Sequence, residues 1–133
     1  MAYLEIPIAA IAAFLLGFLW YTALFGKAWQ AETGITDEEA QSGLAMTHGL
    51  AFVMMCILAF PINYVVNLHG LDEQTFIHGG FHGLVIAGLC AIPAVAINYL
   101  YQKKSLKLFL IDAGYLLLFS GLMGGILGVL KLG

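Results

Sequence analysis

Apolar residues do not recur along this chain at a helical or strand period; they fill four long runs, and the polar residues collect at the ends of those runs. The first runs from about Ile6 to Phe25 between Glu5 and Lys27, matching the roughly 20 residues that cross a ~30 Å hydrocarbon core. The second covers Leu44 to Leu68, the third Thr75 to Tyr101 and the fourth Leu106 to Leu130. Pro7 suits the first turn of its helix. No basic stretch precedes the first run, and Trp20 and Tyr21 replace a small-residue cleavage site, so it reads as a retained span rather than a leader. The fold class expected is all-α: a transmembrane four-helix bundle of antiparallel up-down topology, forming a single domain over residues 1–133.

The connections refine this picture. Gln30 to Gly43 is the one appreciable loop, and within it Thr36 to Glu39 has capping-box spacing, predicting a short surface helix. A tight turn with His69, Gly70, Asp72 and Glu73 joins spans two and three, and a basic turn with Lys103, Lys104 and Lys107 joins three and four. Lys27 shares the side of that basic turn, whereas the other side holds only Lys131. The positive-inside rule therefore places both termini outside, in what is expected to be a bacterial cytoplasmic membrane. Trp20, Tyr21, Trp29, Tyr99 and Tyr101 form an aromatic belt near the cytoplasmic interface.

Composition agrees with a lipid solvent, because 62% hydrophobic and 10% charged residues exceed what a soluble fold of 133 residues can bury. The net charge of -3, the lack of arginine and five scattered lysines exclude a nucleic-acid surface. Cys56 and Cys90 lie inside apolar runs as small hydrophobes, implying neither a disulfide framework nor a redox pair.

The stretches GFLWYTALFGKAWQ (17–30) and PAVAINYLYQKKSLKLFLIDAGYLLLFSGLMGGIL (93–127) carry a Trp20-Tyr21 pair, Phe25-Gly26-Lys27-x-Trp29, and Asn98-Tyr99 leading to Asp112-Ala-Gly-Tyr115. In these marks the chain resembles a family of small, mostly bacterial membrane proteins known as domain of unknown function 1761. The resemblance covers nearly the whole chain. It implies a four-span membrane protein and brings no assigned reaction or catalytic residue.

Two polar layers follow from the ~1.5 Å rise per helical residue. One gathers Trp20, Tyr21, His48, Asn98 and Asp112, each roughly 4 to 11 Å below the cytoplasmic interface, so that every span contributes to a candidate ligand-binding layer. Asp112 is its sharpest member, since an ionisable group inside a span faces the bundle interior or a wet cavity. Either it responds to a proton or ligand, or it anchors neighbouring polar groups by hydrogen bonds. The outer layer holds His78 and His82, one turn apart, with His69 nearby, which is spacing for a transition metal. Their alternative is a set of hydrogen-bonded interfacial histidines. A haem between two helices is disfavoured, because His48 lies near the opposite face, and no Walker loop, dinucleotide fingerprint or serine triad occurs.

Gly79, Gly83 and Ala87 in span three, and Gly114, Gly121 and Gly128 in span four with Gly124 and Gly125 beside them, predict close packing of these two helices. Pro61 and Pro93 predict bends in the two central spans. The function expected is a non-enzymatic bundle that binds or passes a small ligand or ion, or scaffolds a partner, with no resident cofactor. Its partners are the lipid bilayer and, from its small size, further copies in a homo-oligomer. The alternative is a membrane-embedded metal-binding or redox enzyme using the outer histidines.

Overall fold

The computed structural model describes residues 3–131, and among them every regular element is helical. In chain order these are α1 (Glu5–Phe18), which passes into a π-helical turn (Leu19–Leu24), α2 (Gly26–Thr33), α3 (Asp37–Gln41), α4 (Leu44–Val66), α5 (Phe76–Ile86), which passes through a second π-helical turn (Ala87–Ala91) into α6 (Ile92–Tyr101), and α7 (Leu106–Val129). Four of the resulting rods are long and apolar enough to cross a membrane: Glu5–Leu24, Leu44–Val66, Phe76–Tyr101 and Leu106–Val129. The chain is therefore an integral membrane protein by length and composition of its helices.

Side-chain caps set several of the boundaries. The Thr36 hydroxyl accepts from the Glu39 amide at 3.1 Å, and the Glu39 carboxylate accepts from the Thr36 amide at 3.0 Å, completing the capping box anticipated from the spacing. Thr75 caps α5 through the His78 amide, and Ser105 caps α7 through the Leu108 amide, each at 3.1 Å. The Ser105 hydroxyl also donates to Glu32 at 2.6 Å, tying α2 to the start of span four. Ser105→Ala should cost about 1 kcal/mol through the lost cap, read as a small drop in the detergent melting temperature.

α7 is the axis of the molecule. It packs on α1, α4 and α5, and the core around it comprises Ala9 and Ala13 of α1, Ile62 and Val66 of α4, and Tyr115, Phe119, Met123 and Leu127 of α7 itself. Outward-facing positions are large and apolar, including Leu15, Ile57, Ile77, Leu89 and Leu110, the arrangement a lipid solvent requires.

α5 and α7 meet backbone to backbone. A methyl placed on Gly79 would strike the Gly124 carbonyl, one on Gly83 the Ser120 carbonyl, and one on Gly128 the Thr75 carbonyl. Rising numbers on α5 thus meet falling numbers on α7. Burying leucine gains little in lipid, so contact energy here comes from small residues that let carbonyls and Cα–H groups touch. Gly114, expected on the same ridge, instead faces Trp20 of span one, whose ring would lie 3.0 Å from an added methyl.

One feature departs from the sequence-based expectation. α2 (Gly26–Thr33) extends into the first residues of the loop expected over Gln30 to Gly43; glycine stands at its start because a Cβ on Gly26 would lie 2.6 Å from the Tyr21 carbonyl oxygen. Pro61 lies inside α4, which stays helical from Leu44 to Val66, and upstream of Pro93 the chain widens into the π-helical turn, relieving the crowding of a ring against the preceding turn.

Candidate functional site

The aspartate layer is built where span one widens. In the π-helical turn the Phe25 amide reaches back five residues to the Trp20 carbonyl at 2.8 Å, and the wider coil directs two adjacent aromatics at α7. The Trp20 indole Nε1 donates to the Ile111 carbonyl at 3.0 Å, and the Tyr21 hydroxyl donates to the Asp112 carboxylate at 2.6 Å. The second Asp112 oxygen accepts from the hydroxyl of Tyr99, in α6. One carboxylate thus joins spans one, three and four. Tyr115, one turn deeper, donates to the Ala13 carbonyl at 2.7 Å and stacks edge-on against Tyr21.

Of the five residues that the sequence placed in this layer, Tyr21 and Asp112 touch, and Trp20 binds the backbone beside them. His48 lies against the rings of Phe14 and Phe18, at 5.1 and 5.5 Å, instead of bonding to Asp112. Asn98 is exposed, and its neighbour Tyr99 takes the place beside the carboxylate. Sequence reasoning placed Tyr99 in the aromatic belt and among the family marks, and chose Asn98 for the layer. An Asn-Tyr pair leaves open which member faces inward, because successive side chains on a helix point about 100° apart.

At the other end of the bundle three histidines converge. His69 leaves the C-terminal end of α4, and His78 and His82 lie one turn apart on α5, whose first turn is fixed by Thr75. Their ring centroids are 4.5 to 4.7 Å apart, and one nitrogen from each falls within 4.8 Å of the other two. All three rings are half-buried.

The hydrogen bonds around them select a tautomer. His78 Nδ1 lies 2.7 Å from the Glu73 carbonyl and His69 Nδ1 lies 3.1 Å from the Val65 carbonyl. A carbonyl only accepts, so both Nδ1 atoms carry the proton, and in the neutral rings Nε2 keeps its lone pair. His78 Nε2 faces His82 Nε2 at 3.0 Å. The turn carrying His69 is itself held, since the Gln74 amide donates to the His69 carbonyl at 2.7 Å; the Oε1 of that amide is buried without a partner.

This donor set fits a transition-metal ion. Ring nitrogens at 2.0–2.1 Å from a tetrahedral ion stand about 3.3 Å apart, so the widest pair closes by ~1.5 Å, within reach of side-chain torsions. Backbone carbonyls fixing Nδ1–H provide the outer support that metal-binding imidazoles require. Three neutral nitrogens leave one position of a tetrahedron for water or an exogenous ligand.

A family model described as "Protein of unknown function (DUF1761)" matches residues 4–128, a stretch containing both clusters. The chain belongs to the DUF1761 family. Neither a curated protein nor a solved structure matches it. For this DUF1761 chain the chemistry therefore has to be read from the two clusters themselves.

Proposed function

We propose that this protein is a membrane-embedded ion-binding bundle, and that His69, His78 and His82 hold one divalent transition-metal ion. The observation carrying this reading is the convergence of three half-buried rings, one nitrogen from each within 4.8 Å of the others, with His78 Nδ1 held by the Glu73 carbonyl and its Nε2 facing His82.

In this reading the carboxylate of Asp112, already engaged by Tyr21 and Tyr99, pins the opposite end of the bundle, and ion binding falls to the histidines. The opposed register of α5 and α7 supports an up-down arrangement. The lysine bias supports both termini outside a bacterial cytoplasmic membrane, with the histidines toward the outer face. Exposed apolar residues on every span support a lipid surround.

Protein prepared without a histidine tag or chelator should carry about one transition-metal ion per chain by elemental analysis. At a hundredfold excess over Kd, that ion should stabilise the bundle by about 2.7 kcal/mol. His78→Ala and His82→Ala should each abolish the shift while leaving the metal-free melting temperature near the wild-type value. Metal-free protein that shows no thermal shift on adding zinc, copper or iron would rule the proposal out.

A further inference from the structure

On the lysine-rich edge of the bundle, a groove of about 580 Å³ opens between span one and the start of α7. Trp20, Phe25 and Ala28 line it from one side of the chain and Leu106, Leu110, Ile111 and Gly114 from α7. Lys107 is the one charged residue of the lining. We propose that this groove binds an anionic phospholipid, with an acyl chain against Trp20 and Leu110 and the phosphate on Lys107.

Depth supports this occupant. From Leu106 to Gly114 the groove follows α7 for about 12 Å, most of the ~15 Å that one leaflet contributes to the hydrocarbon core. A chain entering from the headgroup region would therefore lie along the groove over most of its leaflet.

The walls are rigid. Trp20 is fixed by its bond to the Ile111 carbonyl, and the Phe25 ring stacks on it with centroids 4.5 Å apart. In an α-helix residues five apart diverge by about 140°, so this stacking depends on the π-helical turn.

Charge points the same way. Lys107 is exposed and has no ion pair or hydrogen bond among the described residues. Lys27, Lys103 and Lys104 lie outside the lining, with Lys104 Nζ over the Tyr99 ring at 5.3 Å, so the charge that meets a headgroup in the groove is that of Lys107. Of the carboxylates on this side, Glu32 is engaged by Ser105, Asp37 by Gln30 and Glu39 by Thr36, and Glu38, exposed on the same short α3, makes no ion pair with Lys107. Phosphate is thus the acceptor that Lys107 lacks. A basic pocket between spans at one membrane face is a recurrent means of holding an anionic headgroup. The inference is independent of the metal reading, since the histidines lie at the other end of the bundle.

The chain has two tryptophans, so Trp29→Phe leaves Trp20 as the sole indole reporter inside the groove. This variant should be reconstituted in phosphatidylcholine vesicles containing a small fixed fraction of either brominated phosphatidylglycerol or brominated phosphatidylcholine. Trp20 emission should be quenched about fivefold more effectively by the anionic lipid, the preference expected of one lysine near the surface. Lys107→Gln should remove the preference without altering quenching by brominated phosphatidylcholine, and Ala28→Phe should lower quenching by both lipids. Equal quenching by the two lipids, or a preference surviving Lys107→Gln, would overturn the proposal. So would quenching by neither lipid together with Trp20 protection that grows with protein density, which would identify a second copy in the groove.

Discussion

Gly83→Leu should yield no folded bundle, and Gly79→Ala should melt well below the wild-type protein in detergent. A methyl on Gly83 would lie 2.7 Å from the Ser120 carbonyl carbon and closer still to its oxygen, and one on Gly79 would meet the Gly124 carbonyl. In both cases the obstacle is backbone, which cannot rotate aside as a side-chain tip can. α5 and α7 would have to separate along the whole seam, losing the contacts that hold helices together where the solvent is itself apolar. For Gly79→Ala the expected loss is about 3 kcal/mol, the upper part of the usual overpacking range. Gly49→Ala is the matched control: it lies in the membrane on α4 with nothing within 4 Å of the added methyl. It should stabilise by up to ~1 kcal/mol through helix propensity. If Gly79→Ala and Gly49→Ala melt together, the seam is not what joins spans three and four.

Asp112→Ala should be nearly as damaging. It strands the hydroxyls of Tyr21 and Tyr99, two donors left without an acceptor inside the bundle. At about 1–3 kcal/mol per unsatisfied donor, the loss should be roughly 2–6 kcal/mol. Asp112→Asn keeps an acceptor oxygen and should lose less. Asp72→Ala, on the exposed turn between spans two and three, should change stability by less than about 0.5 kcal/mol. A double-mutant cycle isolates the contact: Tyr99→Phe should cost less in the Asp112→Ala background than alone. Additive effects of the two substitutions would show that the hydroxyl and the carboxylate do not cooperate.

The spans were legible in the sequence because hydropathy reports the solvent, and the solvent of this chain leaves little ambiguity over runs of twenty or more residues. The Thr36 box and the glycine seam were legible for a similar reason: each depends on one local spacing. Which residues met across the bundle was less so. Depth along a helix is fixed by counting, and it placed Tyr21 and Asp112 at one level, where they touch. Azimuth is not fixed by counting. Two π-helical turns shift the phase of spans one and three, which is why Tyr99 faces Asp112 and Asn98 faces outward. The histidines show the same division. His78 and His82 lie one turn apart by simple periodicity, but the approach of His69 depends on the path of the turn, held by Gln74.

The widened coil at Leu19–Leu24 makes span one unusually sensitive to the loss of a single residue. Deleting Thr22 or Ala23 would leave the apolar profile nearly unchanged, and any count of crossings would score the shortened chain as equivalent. The helix would nevertheless tighten by one step, swinging the Phe25 ring away from the indole and Tyr21 from its carboxylate together. Length errors there should therefore be silent in membrane insertion and costly in assembly.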